Sequence, residues 1–278
     1  MLIKTIIGLG LAAMAVCAIA FGGFIPGAIL TIMSLACASE LLAAFKLRDI
    51  NVWGIPVYAF ALLACPLSHF SLVLVPVAFA ACFIATAVET IFNEKRTVID
   101  AFAGIAVMFY PILLIATLIM LESSCDEYLR RVALLMAFGA PSLADSFAYF
   151  LGVAFGKRKL CPRISPKKTV AGSIGSIIGG TLSGIAVFYL MQLIFGAPPA
   201  TTNMPSMFAL MGLGFVCGII GQIGDLFASL IKRWAGIKDF GSIFPGHGGV
   251  MDRLDSIVMC APFVLGFFVL VKLGVFSV

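Results

Sequence analysis

Histidine and charged residues are scarce in this chain of 278 residues: it has two histidines, and charged residues make up 11% of it. The histidines, His69 and His247, are far apart, and neither an H-E-x-x-H spacing nor a C-x-x-C pair occurs. These absences argue against a zinc hydrolase and a disulfide framework. The eight cysteines are scattered, mostly in apolar runs, where we interpret them as small packing residues. A Walker A phosphate loop is also absent.

The chain instead consists largely of hydrophobic sequence. Hydrophobic residues make up 62% of it, the mean hydropathy is +1.15, and apolar runs of about 18–25 residues recur, which is the length of a membrane-spanning helix. We therefore expect an all-α, polytopic integral membrane protein with about nine transmembrane helices. The first run is interpreted as a retained span, with a cleaved signal peptide as the alternative. The spans are expected at roughly 4–22, 25–45, 52–67, 70–92, 99–121, 131–156, 170–196, 206–233 and 254–275.

The distribution of basic residues predicts the orientation. With these spans, all of the 18 Lys and Arg residues except Arg130, Arg131 and Lys272 fall on one side. The richer side is ordinarily cytoplasmic, which places the N-terminus inside. The same rule accounts for the net charge of +5, so a nucleic-acid partner is not expected. We expect a multi-pass protein of the cell (inner) membrane with its active site facing the cytoplasm.

Polar residues crowd into the C-terminal half of the chain. We expect residues 1–130 to contain about five spans, and residues 131–278 to form a catalytic region with about four spans. Two inner loops of that region, 157–169 and 234–253, are far more polar than the other loops. Both are expected to meet at one cytoplasmic surface.

Two ridges of small residues are expected to pack helices. Gly and Ser recur at every fourth position from Gly172 to Gly184, and a second ridge runs from Gly214 through Asp225 to Ser229. Such ridges let helix backbones approach closely, either within one chain or in a homodimer. A carboxylate on such a ridge would be buried unless a cation meets it. Asp225 is therefore a candidate functional residue.

Three carboxylates form a candidate metal site. Asp225 lies about two turns before the cytoplasmic end of its span, and Asp252 and Asp255 open the last span on one helical face. Oxygen ligands without histidine or thiolate suit Mg²⁺, which takes the rest of its shell from water and substrate phosphates. A second cation is an open alternative. Asp252 and Asp255 could instead be ordinary first-turn acids that favour the helix dipole.

Glycines and cations beside these acids suggest phosphate binding. Gly248 and Gly249 would let backbone N–H groups approach an anion. His247 is expected to bind phosphate or move a proton, unless it is simply a turn residue exposed to water. Asp145 is expected to line the same cavity, with a packing role as the alternative. The other candidates belong to the two polar loops and the helix ends beside them: Ser165, Lys167, Lys168, Ser229, Lys232, Arg233, Lys238 and Arg253, of which Lys232 and Arg233 could instead be snorkelling anchors.

The segment from Ser229 to Asp255 resembles the signature of the phosphatidate cytidylyltransferases, also called CDP-diacylglycerol synthases. The similar parts are Ser229-Leu-Ile-Lys-Arg, Lys238-Asp239 and Pro-Gly-His-Gly-Gly-Val-Met-Asp-Arg-Leu-Asp255. Asp145-Ser-Phe-Ala-Tyr149, Gly156-Lys157 and Ser165-Pro-Lys-Lys-Thr169 resemble further family segments in the expected order. The first 130 residues match in hydropathy alone.

This resemblance implies an enzyme of phospholipid biosynthesis that joins CTP to phosphatidic acid, giving CDP-diacylglycerol and pyrophosphate with Mg²⁺. It implies that Asp225, with Asp252 or Asp255, holds the metal, and that Lys238 and His247 take part in catalysis. It also implies binding of pyrophosphate and lipid phosphate by the cations Lys167, Lys168, Lys232, Arg233, Lys238 and Arg253.

The chain departs from the family pattern at a few positions. Ala171 and Ala228 stand where the family usually has Glu, and Phe147 stands where Gly is common. Fewer carboxylates leave fewer ligands for a cation. The alternatives are transfer to another lipid phosphate, a weak paralogue that binds lipid or nucleotide, and an anion transporter. A transporter predicts paired interrupted helices in corresponding halves, and no such internal repeat is found.

Overall fold

The structure is a computed structural model that describes residues 24–71, 73–200, 202–243 and 248–276. The described residues are mostly helical, so the all-α prediction is confirmed. The predicted span at 4–22 and His247 lie outside the described residues. The helices are α1 (Phe24–Lys46), α2 (Gly54–Phe70), α3 (Leu74–Phe92), α4 (Val98–Val107), α5 (Leu114–Ser124), α6 (Glu127–Phe155), α7 (Val170–Phe195), α8 (Met207–Ala235) and α9 (Met251–Lys272).

The helices have the length and composition of membrane spans. Within the described residues, seven helical segments are long and apolar enough to cross a membrane, and α2 is a shorter apolar helix. One of the seven, Val98–Leu121, contains α4, a π-helical stretch over Met108–Leu113 and most of α5. The helix is broken at Tyr110 (φ −117°, ψ 112°), before Pro111, whose ring disfavours helical backbone in the preceding residue. A polytopic membrane protein is confirmed, while nine spans and a cytoplasmic N-terminus stay predictions.

The chain divides into two compact units. Unit 1 comprises Met1–Ser123 and Ile231–Leu254, and unit 2 comprises Ser124–Leu230 and Asp255–Val278. Residues 231–254 are thus grouped with the N-terminal part of the chain. The predicted boundary after residue 130 and the assignment of catalysis to residues 131–278 stay predictions.

Unit 1 is built on α1, α2 and α3, which pack in sequence order, with the π-helical stretch against α1 and α2. The connection after α1 is tied to α4 by Asp100, whose Oδ1 accepts a hydrogen bond of 2.6 Å from the Asn51 N–H. Asp100 also forms a capping box with Thr97 at the start of α4. These bonds tie the connection after α1 to the start of α4.

Unit 2 is held together by close helix contacts at glycines. A Cβ added at Gly175 would lie 2.6 Å from the carbonyl oxygen of Phe147 in α6, and one at Gly180 would lie 2.9 Å from Cα of Gly218 in α8. The Ser176 hydroxyl donates a hydrogen bond of 3.1 Å to the Gly218 carbonyl. The small-residue ridges therefore pack α7 against its neighbours within one chain. A homodimer stays a prediction.

A β-hairpin occupies most of the segment 157–169, which the sequence predicted as a polar loop. Strand β1 (Lys159–Cys161) pairs antiparallel with β2 (Ser165–Thr169). Thr169 ends the hairpin and begins α7, because its hydroxyl accepts a hydrogen bond of 3.1 Å from the Gly172 N–H. Gly156 must lack a side chain, since a Cβ there would lie 2.8 Å from the Thr169 hydroxyl oxygen. The hairpin is thus packed tightly against the end of α6.

The α7–α8 contact predicts unequal effects of two glycine substitutions. Gly180→Ala would press a methyl group onto Gly218, whereas Gly212→Ala on α8 meets nothing within 4 Å. We expect Gly180→Ala to destabilise the protein by about 1–3 kcal/mol through overpacking. The matched control Gly212→Ala should leave the melting temperature unchanged or raise it. Melting in detergent, followed by tryptophan fluorescence, measures both, and equal melting temperatures would contradict the close packing.

Candidate active site

A cavity of about 420 Å³ lies within unit 2. Its wall includes Asp145 from α6, Lys167 and Lys168 from β2, and Asp225 from α8. The structure thus brings together two carboxylates and two lysines from three elements that are well separated in sequence. All four were candidates from the sequence. Tyr149, Gln222 and the backbone of Gly152 and Gly172 complete much of the remaining wall.

Asp225 is paired with Lys168 in this cavity. Lys168 Nζ lies 2.6 Å from Asp225 Oδ2, and the Ser229 hydroxyl donates to Oδ1 at 3.3 Å. The Lys168 and Asp225 side chains are 25% and 31% exposed. The cation expected beside Asp225 is therefore Lys168, delivered by the hairpin. Because both side chains remain partly exposed in the cavity, an incoming anion can reach the lysine and a cation can reach the carboxylate.

Close packing of the surrounding helices positions the cavity wall. The Gln222 side chain donates hydrogen bonds to the Ser173 carbonyl at 3.1 Å and the Gly218 carbonyl at 2.8 Å, which links α8 to α7. A Cβ at Gly172 would lie 2.9 Å from the Ala148 carbonyl oxygen of α6. The helices that carry Asp145 and Asp225 are thus both fixed to α7.

Asp252 lies in unit 1, where both of its carboxylate oxygens have partners. Its Oδ2 accepts hydrogen bonds from the Phe240 N–H at 2.8 Å and the Gly249 N–H at 2.9 Å, and its Oδ1 lies 2.6 Å from Lys232 Nζ. The Asp252 and Lys232 side chains are 4% and 11% exposed. Lys232 is thus a buried ion-pair partner of Asp252, and its binding of substrate stays a prediction. Asp252 thus ties the backbone of Phe240 and of Gly249 to the start of α9.

Glu40 is another buried carboxylate of unit 1, and it was not among the candidates from the sequence. It lies in α1, and its two oxygens each accept a hydrogen bond of 2.9 Å, one from the Val250 N–H and one from the Met251 N–H. A Cβ at Gly241 would lie 2.6 Å from its Oε1, so this glycine makes room for the carboxylate. Its position as the single acid of an apolar span was the signal that could have identified it.

Gly248 and Gly249 lie against the same two carboxylates. Gly248 has a positive φ of 83°, and a Cβ there would lie 2.7 Å from Asp252 Oδ2. A Cβ at Gly249 would overlap the Glu40 carboxylate. The backbone N–H that was expected to face a phosphate is, at Gly249, donated to Asp252. Binding of a substrate anion by these glycines stays a prediction.

The remaining candidates are distributed over both units. Ser165 pairs with Cys161 in the hairpin of unit 2. Asp255 is buried in unit 2, where its Oδ1 accepts the Ser256 N–H at 2.7 Å. Arg233 donates to the Ile237 carbonyl at 3.1 Å, and Arg233, Lys238 and Arg253 are exposed. Asp225 and Asp255 belong to unit 2 and Asp252 to unit 1, so the convergence of all three stays a prediction.

The cavity of unit 2 has donors that suit Mg²⁺. In proteins this ion is commonly held by one or two carboxylates together with substrate phosphates and water. Asp145 and Asp225 supply two carboxylates to one wall. Throughout the described ranges, no group of three or more His, Cys, Asp or Glu side chains is placed to hold a metal ion. Asp145 and Asp225 are thus two carboxylates that could contact such an ion, and the metal site stays a prediction.

The chain is similar to a known protein family and to several curated proteins. Residues 2–271 match the Cytidylyltransferase family. A phosphatidate cytidylyltransferase of Aquifex aeolicus (strain VF5) is 37% identical over 172 residues, which cover 62% of this chain and 59% of the relative. One of Bacillus subtilis (strain 168) is 42% identical over 120 residues, 43% of this chain and 41% of the relative. This chain thus spans about half the length of the curated relatives it matches.

The two hydrogen bonds to Glu40 predict a local effect of its removal. Glu40→Ala would leave the buried N–H groups of Val250 and Met251 without an acceptor, at a cost of about 1–3 kcal/mol each. We expect faster hydrogen exchange in the peptide that spans residues 248–254, measured by mass spectrometry. Glu40→Gln, which keeps one carbonyl acceptor, should have a smaller effect.

Glu94→Ala is the matched control, because Glu94 is an exposed loop residue of the same unit. It should leave that exchange unchanged. If Glu40→Ala and Glu94→Ala gave the same exchange at residues 248–254, the capping role of Glu40 would be wrong.

Proposed function

This chain belongs to the cytidylyltransferase family, and from that membership we propose that it transfers the cytidylyl group of CTP to phosphatidic acid. A phosphate oxygen of the lipid attacks the α-phosphorus of CTP, the bond to the β-phosphate breaks, and CDP-diacylglycerol and pyrophosphate are released. The observation that carries this proposal is the cavity of unit 2, where the Asp225–Lys168 ion pair lies with Asp145 and Lys167. This arrangement offers cations for phosphate oxygens and carboxylates for a metal ion.

The lysines of the cavity supply most of what this reaction needs from the protein. Phosphoryl-group transfer depends mainly on positioning the reactants and on neutralising developing negative charge. Lys167 and Lys168 would bind phosphate oxygens, and the ion pair with Asp225 holds the Lys168 ammonium in place before substrate arrives. When an incoming phosphate takes over Lys168, the Asp225 carboxylate becomes available to a cation. No nucleophile from the protein is required.

Asp145 and Asp225 would hold Mg²⁺ in this proposal. A bound Mg²⁺ would neutralise phosphate charge and orient the phosphates for in-line displacement. Asp145 is thereby added as a ligand that the sequence had assigned to substrate binding. Asp252 and Asp255 remain proposed ligands, and for Asp252 a metal would have to displace Lys232 from Oδ1.

The carboxylates of unit 1 would act on the signature segment by positioning it. Asp252 accepts a hydrogen bond from the Phe240 N–H, and Glu40 accepts hydrogen bonds from the N–H groups of Val250 and Met251. Both ends of the loop that precedes α9 are therefore held by hydrogen bonds. Exposed cations of unit 1 would attract the anionic substrates. The cations proposed for this role are Arg233, Lys238 and Arg253. We propose His247 as a proton donor or acceptor, and Ser165 and Ser229 of unit 2 as groups that form hydrogen bonds with substrate.

We further propose that the active site faces the cytoplasm and that the protein resides in the cell membrane. The basic residues Lys157, Arg158 and Lys159 precede or begin the hairpin that carries Lys167 and Lys168. Basic residues beside spans favour the cytoplasmic side. CTP would then enter from solution, and phosphatidic acid laterally from the bilayer.

Removal of either member of the cavity ion pair should abolish turnover. We expect Asp225→Asn and Lys168→Met each to lower CTP incorporation into lipid by about 100-fold or more, a loss typical for one group that neutralises transition-state charge. The assay uses purified, detergent-solubilised protein with radiolabelled CTP, phosphatidic acid and Mg²⁺.

Glu94→Gln and Lys95→Met are the matched controls, because they remove the same charges from exposed positions. Both should keep the activity of the unaltered chain. If the folded, unaltered chain showed no turnover with phosphatidic acid but did with another lipid phosphate, the proposed acceptor would be wrong. Absence of turnover with every acceptor and divalent ion would favour a binding role.

Site-directed labelling tests the proposed orientation. In a cysteine-free background, Lys157→Cys should react with a membrane-impermeant maleimide from the cytoplasmic side, and Ala200→Cys from the opposite side. Both positions are exposed. The native Cys125 is a poor reporter, because burial, with Asp126 beside it, raises the pKa of its thiol to about 11 and leaves little reactive thiolate. Labelling of Lys157→Cys in intact cells would refute the proposed orientation.

A further inference from the structure

Unit 1 contains a cavity of its own, of about 470 Å³, at the polar end of α1. Its wall is formed by the last turns of α1, the connection to α2, the start of α2 and Arg96, which precedes α4. It shares no lining residue with the cavity that contains Asp225. The function proposed above therefore makes no use of it.

The charged residues of this wall are both cationic. They are Lys46 and Arg96, and no acidic side chain lines the cavity. The nearby Asp100 is buried and accepts hydrogen bonds from Thr97 and the Asn51 N–H. The cavity is thus suited to an anion and not to a cation.

The two cations differ in how they are held. The Arg96 guanidinium is oriented by Glu89 Oε1, 3.9 Å from its Nε, and by the Asn51 carbonyl, to which its Nη1 donates. Because a guanidinium has five N–H donors, these contacts leave donors for a ligand. The Lys46 side chain is exposed at the end of α1 and has neither an ion pair nor a hydrogen bond within the described residues. Arginine binds phosphate oxygens through its planar fork of donors and lysine as a flexible point charge, so the wall offers both kinds of contact.

The rest of the cavity wall contains both polar and apolar residues. Ser39, Asn51 and Tyr58 line the cavity together with Leu42 and Val52. Outside it, Leu47 and Ile55 are 60% and 67% exposed. A cation pair at the end of a membrane-spanning helix, next to exposed apolar side chains, is where an anionic lipid headgroup is favoured.

We propose that this cavity is a binding site for a phosphate-bearing anion, which Lys46 and Arg96 hold at the membrane surface. Two sources share this chemistry: the headgroup of an anionic phospholipid and a free phosphate from solution. The site is independent of the transfer reaction, so it stands or falls by itself.

Protection of Lys46 from acylation tests the proposal. The full chain in detergent is treated with an amine-reactive acetylating reagent, and the modification rates of Lys46 and Lys95 are measured by peptide mass spectrometry. Lys95 is the internal control, because it is exposed beside Arg96 but does not line the cavity. Parallel samples contain short-chain phosphatidylglycerol, short-chain phosphatidylcholine or inorganic phosphate. Phosphatidylglycerol is used because its phosphodiester is not the acceptor of the proposed transfer.

We expect phosphatidylglycerol to slow acylation of Lys46 by about fivefold or more, with Lys95 unchanged. Protection by millimolar inorganic phosphate alone would assign the site to a soluble phosphate, which also supports the proposal. Equal protection by phosphatidylcholine, or equal slowing at Lys95, would overturn it.

A second measurement uses variants. The number of phosphatidylglycerol molecules retained by the full chain is counted by native mass spectrometry. Lys46→Gln should retain at least one fewer than the matched variant Lys95→Gln. Equal retention by the two variants would overturn the proposal.

Discussion

Two carboxylates of unit 1, Glu40 and Asp252, accept hydrogen bonds from backbone N–H groups before and at the start of α9. In an apolar environment an N–H group without an acceptor is costly, and this segment presents several at the point where a helix must begin. Glu40 takes two of them and Asp252 takes two more. The buried Asp252 charge is balanced by Lys232. The backbone at the start of α9 is therefore held by carboxylates from two different helices.

Glycine has a different role in each unit. In unit 2 the glycines of α7 and α8 bring two backbones into contact, so that Gln222 and Ser176 can bond across the interface. In unit 1, Gly241 and Gly249 leave space for a side chain, the Glu40 carboxylate. The first role has the four-residue spacing that a sequence reveals. The second has no spacing rule, because the partner is more than 200 residues away.

Asp225 shows how far reasoning from the sequence extends. A carboxylate on a small-residue ridge of an apolar helix needs a cationic partner, and that requirement follows from charge and burial alone. The identity of the partner does not, since several lysines were available in the polar segments. The hairpin decides it, because pairing of β1 with β2 and the Thr169 cap set the position of Lys168 next to α8. That hairpin was not predicted, since three to five residues in each strand provide too little periodicity.

The sequence by itself determined that the protein is a helical membrane protein, because uninterrupted apolar runs of this length have few other stable environments. It also determined the family and the residues that carry charge in the C-terminal half. Only the tertiary structure decided which charges meet: Lys168 with Asp225, Lys232 with Asp252, and Glu40 with the start of α9. Ion pairs and caps depend on distances of about 3 Å between groups distant in the chain, and such distances arise only when the helices pack.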